Sequence, residues 1–286
     1  IMDVSGTNLD NLNGNIRFRD ITVFKERQPY VFDSLYFWTG KDGENRNLNL
    51  SGRDVDASVK GKFSFAELPA TFNQYFSSYY PMYFKKVAAP KTDQLIEFHI
   101  DLRNTGRLLN IFNKKVSGFN YSKIDGRIDT RNRLFELDAE IPKFTYNKLA
   151  VYDFSIKAKG DDDSLRISSK TSSIVFNDSL FFPNNEINIR SSKDVSIVNI
   201  NTSSEQSQYG AKLSASILNL KDGIKINFNP STLVFNEKTW MIEQDGEVVI
   251  SKSLFDAKNF RLNNGNQSIS LITLPTEAMR PQTIIL

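Results

Sequence analysis

The chain has 286 residues, and its 36 Lys and Arg against 33 Asp and Glu leave a formal net charge of only +3, too balanced to mark a nucleic-acid partner. The absence of Cys excludes disulfides, thiolate metal sites and cysteine nucleophiles, and a single His (His99) excludes multi-histidine metal sites. Twenty-two Phe and ten Tyr, among abundant Asn and Ser at a mean hydropathy of −0.38, are the composition of pleated sheet and turns. The apolar runs are too short to span a bilayer, and no basic segment followed by an apolar one opens the chain. Ile1 reads as the middle of a pattern, so the expectation is an excised piece of something longer.

The first predicted element is a short amphipathic helix near 66–80. Leu68, Phe72, Phe76 and Tyr79 recur at helical spacing, Pro69 is tolerated in a first turn, and Pro81 stops the element. The next is a strand with Ile96, Phe98, Ile100 and Leu102 on one face and Glu97, His99, Asp101 and Arg103 on the other. A candidate helical turn follows near 106–113, where Leu108, Leu109, Ile111 and Phe112 cluster.

Beyond about residue 117 the pattern is almost purely of period two. Phe135, Leu137, Ala139 and Ile141 alternate with polar residues, as do Tyr152, Phe154, Ile156 and Ala158. The same holds for Leu213, Ala215 and Ile217, for Ile224, Ile226 and Phe228, and for Phe260 and Leu262. Asp125-Gly126, Gly160 to Asp163, Asp222-Gly223, Asp245-Gly246 and Asn263 to Asn266 supply turn chemistry between runs. Strands buried on both faces would read as continuous apolar stretches, so the alternation predicts an antiparallel meander, all-β, with one dry and one wet face. That dry face must be covered by a second sheet, by its own curl or by a ligand.

The chemical candidates are weak. Asp161, Asp162 and Asp163 lack the register of a calcium loop and read as a hairpin tip. His99 sits on the polar face with no nucleophile motif, and no phosphate-binding glycine loop is present. Lys85-Lys86 and Lys114-Lys115 read as solvated pairs, and Asn177, Asn201 and Asn266 open sequons of the kind an Asn- and Ser-rich chain forms by chance. No catalytic or metal-ligating constellation stands out among the residues. The aromatic and aliphatic stripes fit either the lining of an acyl-chain groove or an ordinary sandwich core.

Several stretches resemble one family. They are Pro230 to Phe235, Thr239-Trp240-Met241-Ile242, Gly246 to Ile250, Asp256 to Leu262 and Gln267 to Leu271. Leu12 to Ile16, and Leu48 to Pro81 with its Val59 to Phe63 run and Tyr79-Tyr80-Pro81 ending, agree with them. Together they resemble the carboxy-terminal part of the TamB family (translocation and assembly module subunit, AsmA-like superfamily), Bacteroidetes type. The tail from Ala278 to Leu286 departs from the family pattern.

The resemblance implies a periplasmic segment of an inner-membrane-anchored protein, residues 1–286 being a single elongated β-sheet curled into a U-shaped trough (a β-taco). It implies carriage of phospholipid between inner and outer membranes and an outer-membrane β-barrel assembly partner of the TamA/BamA kind, with no nucleic acid, no enzyme activity and no cofactor. The groove would be lined by Ile96, Phe98, Ile100, Leu102, Phe135, Leu137, Ile141, Tyr152, Phe154, Ile156, Leu213, Ile217, Ile224, Ile226, Phe228, Phe260 and Leu262. Two alternatives stay open. One is outer-membrane-protein assembly through exposed strand edges, and the other is a compact β-sandwich that binds glycans or serves as a surface module.

Overall fold

Alternating apolar and polar residues separated by short turns build strands along most of the chain. The computed structural model describes all residues except 9, 107–108, 110, 112–114, 178–179, 203–208, 236–237, 244–245, 252–254, 275–281 and 286. Twenty-two strands form one antiparallel sheet, open and not closed into a barrel. In chain order they begin with β1 (Met2–Ser5), β2 (Asn13–Lys25), β3 (Gln28–Asp42), β4 (Asn45–Gly52), β5 (Val55–Gly61), β6 (Leu95–Leu102), β7 (Val116–Gly118) and β8 (Ser122–Asp129). They continue as β9 (Leu134–Tyr146), β10 (Leu149–Gly160), β11 (Leu165–Phe176), β12 (Leu180–Ser192), β13 (Val195–Thr202), β14 (Tyr209–Leu220) and β15 (Gly223–Phe228). The last are β16 (Ser231–Phe235), β17 (Lys238–Ile242), β18 (Glu247–Ser251), β19 (Phe255–Lys258), β20 (Phe260–Asn264), β21 (Gln267–Leu274) and β22 (Gln282–Ile285).

Each strand pairs with the strand before and after it, apart from four rows that are broken in two. β7 and β8 lie end to end along β9, β15 and β16 along β14, β17 and β18 beside those, and β19 and β20 beside those again. Three of the breaks coincide with irregular backbone: positive φ at Phe119 and Tyr121, positive φ at Asn259, and the Asn229-Pro230 pair, where Pro has no N–H to give. The 22 strands thus make eighteen rows, which at about 4.8 Å each run roughly 80 Å along the hydrogen-bonding direction. The accessible surface is 17986 Å², against about 12,400 Å² for a compact monomer of the same mass. The 22 strands of the described residues belong to one open sheet and not to two separately paired ones.

Between β5 and β6 the chain leaves the sheet for a turn of 3-10 helix, Phe65–Glu67, and then α1 (Leu68–Tyr79), close to the helix expected at 66–80. Its buried stripe differs from the expected one. Thr71, Tyr75 and Tyr79 face inward while Phe72 is exposed. The reason is hydrogen bonding. Tyr75 donates its hydroxyl to the Asp129 carbonyl at 2.7 Å and Tyr79 to the Asp161 carbonyl at 2.5 Å, so these rings turn toward the strand ends. Just past the helix, the Tyr80 hydroxyl meets Ser191 Oγ at 2.8 Å, and the Asp194 carboxylate accepts from the Met82 amide at 3.0 Å. The helix therefore crosses the ends of β8 through β13, and its cluster with Ile96, Ile128, Phe135, Ala158 and Leu165 is the main core.

Two other expectations meet the structure differently. Asp125-Gly126 lies inside β8, not at a turn, because residue 126 is where the Phe98 ring crosses the neighbouring strand and a Cβ would collide with it. Most of the helical turn expected near 106–113 lies outside the described residues. Of that stretch Gly106, Leu109 and Ile111 are helical, and the Leu109 amide donates to the Thr105 carbonyl at 2.9 Å.

Candidate functional site

Cross-strand register decides which side chains share a surface. One row runs Leu48, Val59, Phe98, Gly126, Leu137, Ala158, Ile167, Ile189, Val198, Ala215 and Phe228, each the direct partner of the next, over eleven strands from β4 to β15. A parallel row passes through Phe37, Leu50, Ala57, Ile100, Ile124, Ala139, Ile156, Ser169, Ile187, Ile200 and Leu213. A third carries Ile96, Ile128, Phe135, Gly160 and Leu165 under α1, then Ser191, Ser196, Ile217, Ile226 and Val248. Strand alternation puts all three on one face.

Most of the expected lining residues fall on that face. Ile96, Phe135, Ile217 and Ile226 lie in the third row, Phe98, Leu137 and Phe228 in the first, and Ile100, Ile156 and Leu213 in the second. Leu102 follows Ile100 along β6, Ile141 pairs with Phe154, and Ile224 precedes Ile226 in β15. Leu262 pairs with Ile242 and Ile269, and the Phe260 ring meets Phe228 edge-on at 5.1 Å.

Tyr152 is the exception. Asp153 adopts φ 48, which flips the pleat, so buried Val151 takes the inward position and Tyr152 turns outward, its ring 4.8 Å from Lys143 Nζ. Phe144, opposite Val151, is brought inward to meet Phe154 at 5.6 Å and Phe119 at 5.3 Å. Pro142, Asp153, Ser172 and Asn184 stand side by side on consecutive strands as a crease, with Asn184 also at positive φ and Ser172 Oγ donating to Asp153 at 2.7 Å. Pro and left-handed Asp or Asn at one level are the only sequence trace of this inversion.

Among the seventeen expected residues, Ile96, Phe135 and Ile141 are buried and the other fourteen are half-buried. A sealed two-layer core would bury nearly all of them. Over that face the described residues place α1 along one margin, above Ile96, Ile128, Phe135, Ala158 and Leu165.

The opposite face holds a groove of about 1060 Å³ across β5, β6 and β8 to β13. Of the expected lining residues only Phe98 and Leu137 border it, and they do so from the strand backbone, since their side chains point to the other face. The residues expected to line a groove, apart from Tyr152, lie on the other face, and charged and amide side chains border this concavity. Its walls are cross-strand ion pairs: Lys60 with Glu97 at 3.4 Å, Lys159 with Glu136 at 3.0 Å and Lys157 with Asp138 at 3.2 Å. His99 Nδ1 lies 2.7 Å from the Asp125 carboxylate, a partner two strands of sequence away that the reading of its own strand missed. At the β10–β11 turn the Ser164 amide, then the Asp163 amide and Arg166, hold the Asp161 carboxyl below the usual carboxylate range.

Among the described residues no group of three or more His, Asp or Glu is placed to hold a metal ion, and no helix is long and apolar enough to cross a membrane. No family model, curated protein or solved structure matches this chain.

Proposed function

We propose that the chain is a non-enzymatic lipid-carrying segment that lays phospholipid acyl chains along the apolar face of its sheet. The observation that carries this reading is the in-register apolar row from Leu48 to Phe228, continuous over eleven strands of one open sheet and only half-buried over most of its length. Apolar surface gains about 25 cal/mol per Å² when removed from water, whether protein or hydrocarbon covers it. A ladder of Val, Ile, Leu and Phe positions, interrupted by Gly126, Ala158 and Ala215, presents apolar surface at every step, so an acyl chain can shift along it without meeting a charge. The resemblance to the TamB family supports the same reading and adds its setting: the periplasm, an inner-membrane anchor in the parent protein and an outer-membrane β-barrel partner.

A second reading has its own observation. Among the described residues β2 pairs with β1 only from Asn13 to Ile16, and beyond Arg17 its strand pairing is with β3 alone. Such an edge is a template for strand addition by an outer-membrane protein substrate.

The test is native mass spectrometry of the purified chain, with photo-crosslinkers at Phe98, Phe154 and Phe228 and a control probe at Lys157. Phospholipid that co-purifies and is captured from the three apolar positions but not from Lys157 is the expected result. Phe154→Asp should empty the face of lipid while leaving a cooperative melt. Absence of lipid, or equal capture from both faces, would refute the proposal.

A further inference from the structure

Along the polar groove the charges alternate for five strands and then stop alternating. The cross-strand partners read Lys60, Glu97, Arg127, Glu136, Lys159, and then Arg166 and Arg190. Like charges directly opposite each other on neighbouring strands are destabilising. Here three cations stand abreast on β10, β11 and β12, within roughly 10 Å at the spacing of paired strands. All four carboxylates that line the groove, Glu97, Asp125, Glu136 and Asp138, belong to its other half.

Lys159 is paired with Glu136, and Arg166 is held by Asp161 at 2.7 Å and Ser164 Oγ at 3.3 Å. Arg190 is exposed, and its side chain has no hydrogen bond or ion pair among the described residues. One step along the same face Ser168, Asn188 and Asn199 offer hydroxyl and amide donors, and Ile197, the partner of Arg190, is 48 % exposed as an apolar shoulder.

We propose that Arg190, with Arg166 and Lys159, forms an anion site in this groove that takes a phosphate group. Three cations plus amide and hydroxyl donors, spread over three strands, suit a multiply charged tetrahedral oxyanion better than the two coplanar oxygens of a carboxylate. The phosphate could belong to a lipid headgroup or be free in solution. The site lies on the face opposite the apolar rows, so it stands whether or not acyl chains occupy that face.

The experiment is thermal melting of the whole chain in sodium phosphate against sodium chloride of matched ionic strength, with phosphate affinity measured by calorimetry. Phosphate should raise the midpoint beyond chloride. Arg190→Gln should lose that increment and weaken phosphate binding about tenfold or more, the loss of a charge-assisted contact. Without phosphate the same variant should melt at or above the parent, because a like-charge neighbour is gone. Lys60→Gln, in the ion-paired half, should leave the phosphate response intact. Dihexanoyl phosphatidic acid, titrated below its micellar concentration, separates the sources: binding at least about tenfold tighter than inorganic phosphate assigns a headgroup, and equal binding assigns free phosphate. If chloride reproduces the whole increment, or Arg190→Gln keeps it, the site does not exist.

Discussion

Tyr79 and Asp161, 82 residues apart, are joined by a 2.5 Å hydrogen bond from the phenol hydroxyl to the main-chain carbonyl, and Gly160 clears the path between them. A Cβ at residue 160 would collide with that hydroxyl, and the Tyr79 ring is wholly buried. The helix is thereby fastened to the end of β10, which fixes where it crosses the sheet and how much of the apolar face it leaves uncovered.

Separating the ring from the hydroxyl tests this fastening. Tyr79→Phe should cost about 1 kcal/mol, the net worth of one hydrogen bond, while Tyr79→Ala should cost about 3–5 kcal/mol through loss of the buried ring. Urea midpoints of the two variants check it. Equal losses would show that the ring contributes nothing beyond its hydroxyl.

Gly126 lies beneath the Phe98 ring in the first apolar row. Gly126→Ala should destabilise by about 1–3 kcal/mol through overpacking. Phe98→Leu, a smaller and more flexible side chain, should absorb part of that loss in the double variant. A double-mutant cycle reads the coupling, and strict additivity would mean that the ring does not press on residue 126.

Burial first, and then the Asp129 charge, push the Tyr75 phenol up to about 12 from an ordinary value of 10.0. A phenol raised on folding contributes stability that is fully present below its unfolded value and is lost as the pH climbs through the folded one. The chain should therefore lose stability between about pH 10 and pH 12, and Tyr75→Phe should flatten that limb while costing about 1 kcal/mol at neutral pH for the bond to the Asp129 carbonyl. Denaturation midpoints across this range decide the point. An unchanged alkaline limb in the variant would assign the loss to other groups.

A compact chain of this length would have a radius of gyration near ~19 Å. One sheet of eighteen rows should scatter as a clearly longer particle. Small-angle scattering that returned the compact value would mean that the sheet folds back on itself in solution.

Much of this was legible in the residues. Period-two alternation at Ile96 to Leu102, Phe135 to Ile141 and Ile224 to Phe228 places strands where the structure has them, and in β9 the buried Phe135, Ala139 and Ile141 lie on the apolar side, because a strand has only two faces. The turns were read less well. The Glu26-Arg27 and Lys193-Asp194 hairpins carry positive φ at both central residues without Gly, so neither shows the usual turn composition. Tyr152 was misplaced for a related reason: one left-handed residue, Asp153, inverts every side chain beyond it without altering the alternation of residue types.

The sequence by itself determined the all-β class, the antiparallel pairing and the two-faced character of the strands whose alternation it displays, since these follow from spacing between neighbours along the chain. Only the tertiary structure decided that the strands share one open sheet, that α1 closes one margin through Tyr75 and Tyr79, and that Lys159, Arg166 and Arg190 stand abreast. Those facts depend on cross-strand register. Register couples residues that are tens of positions apart, and no local pattern of residue types encodes it.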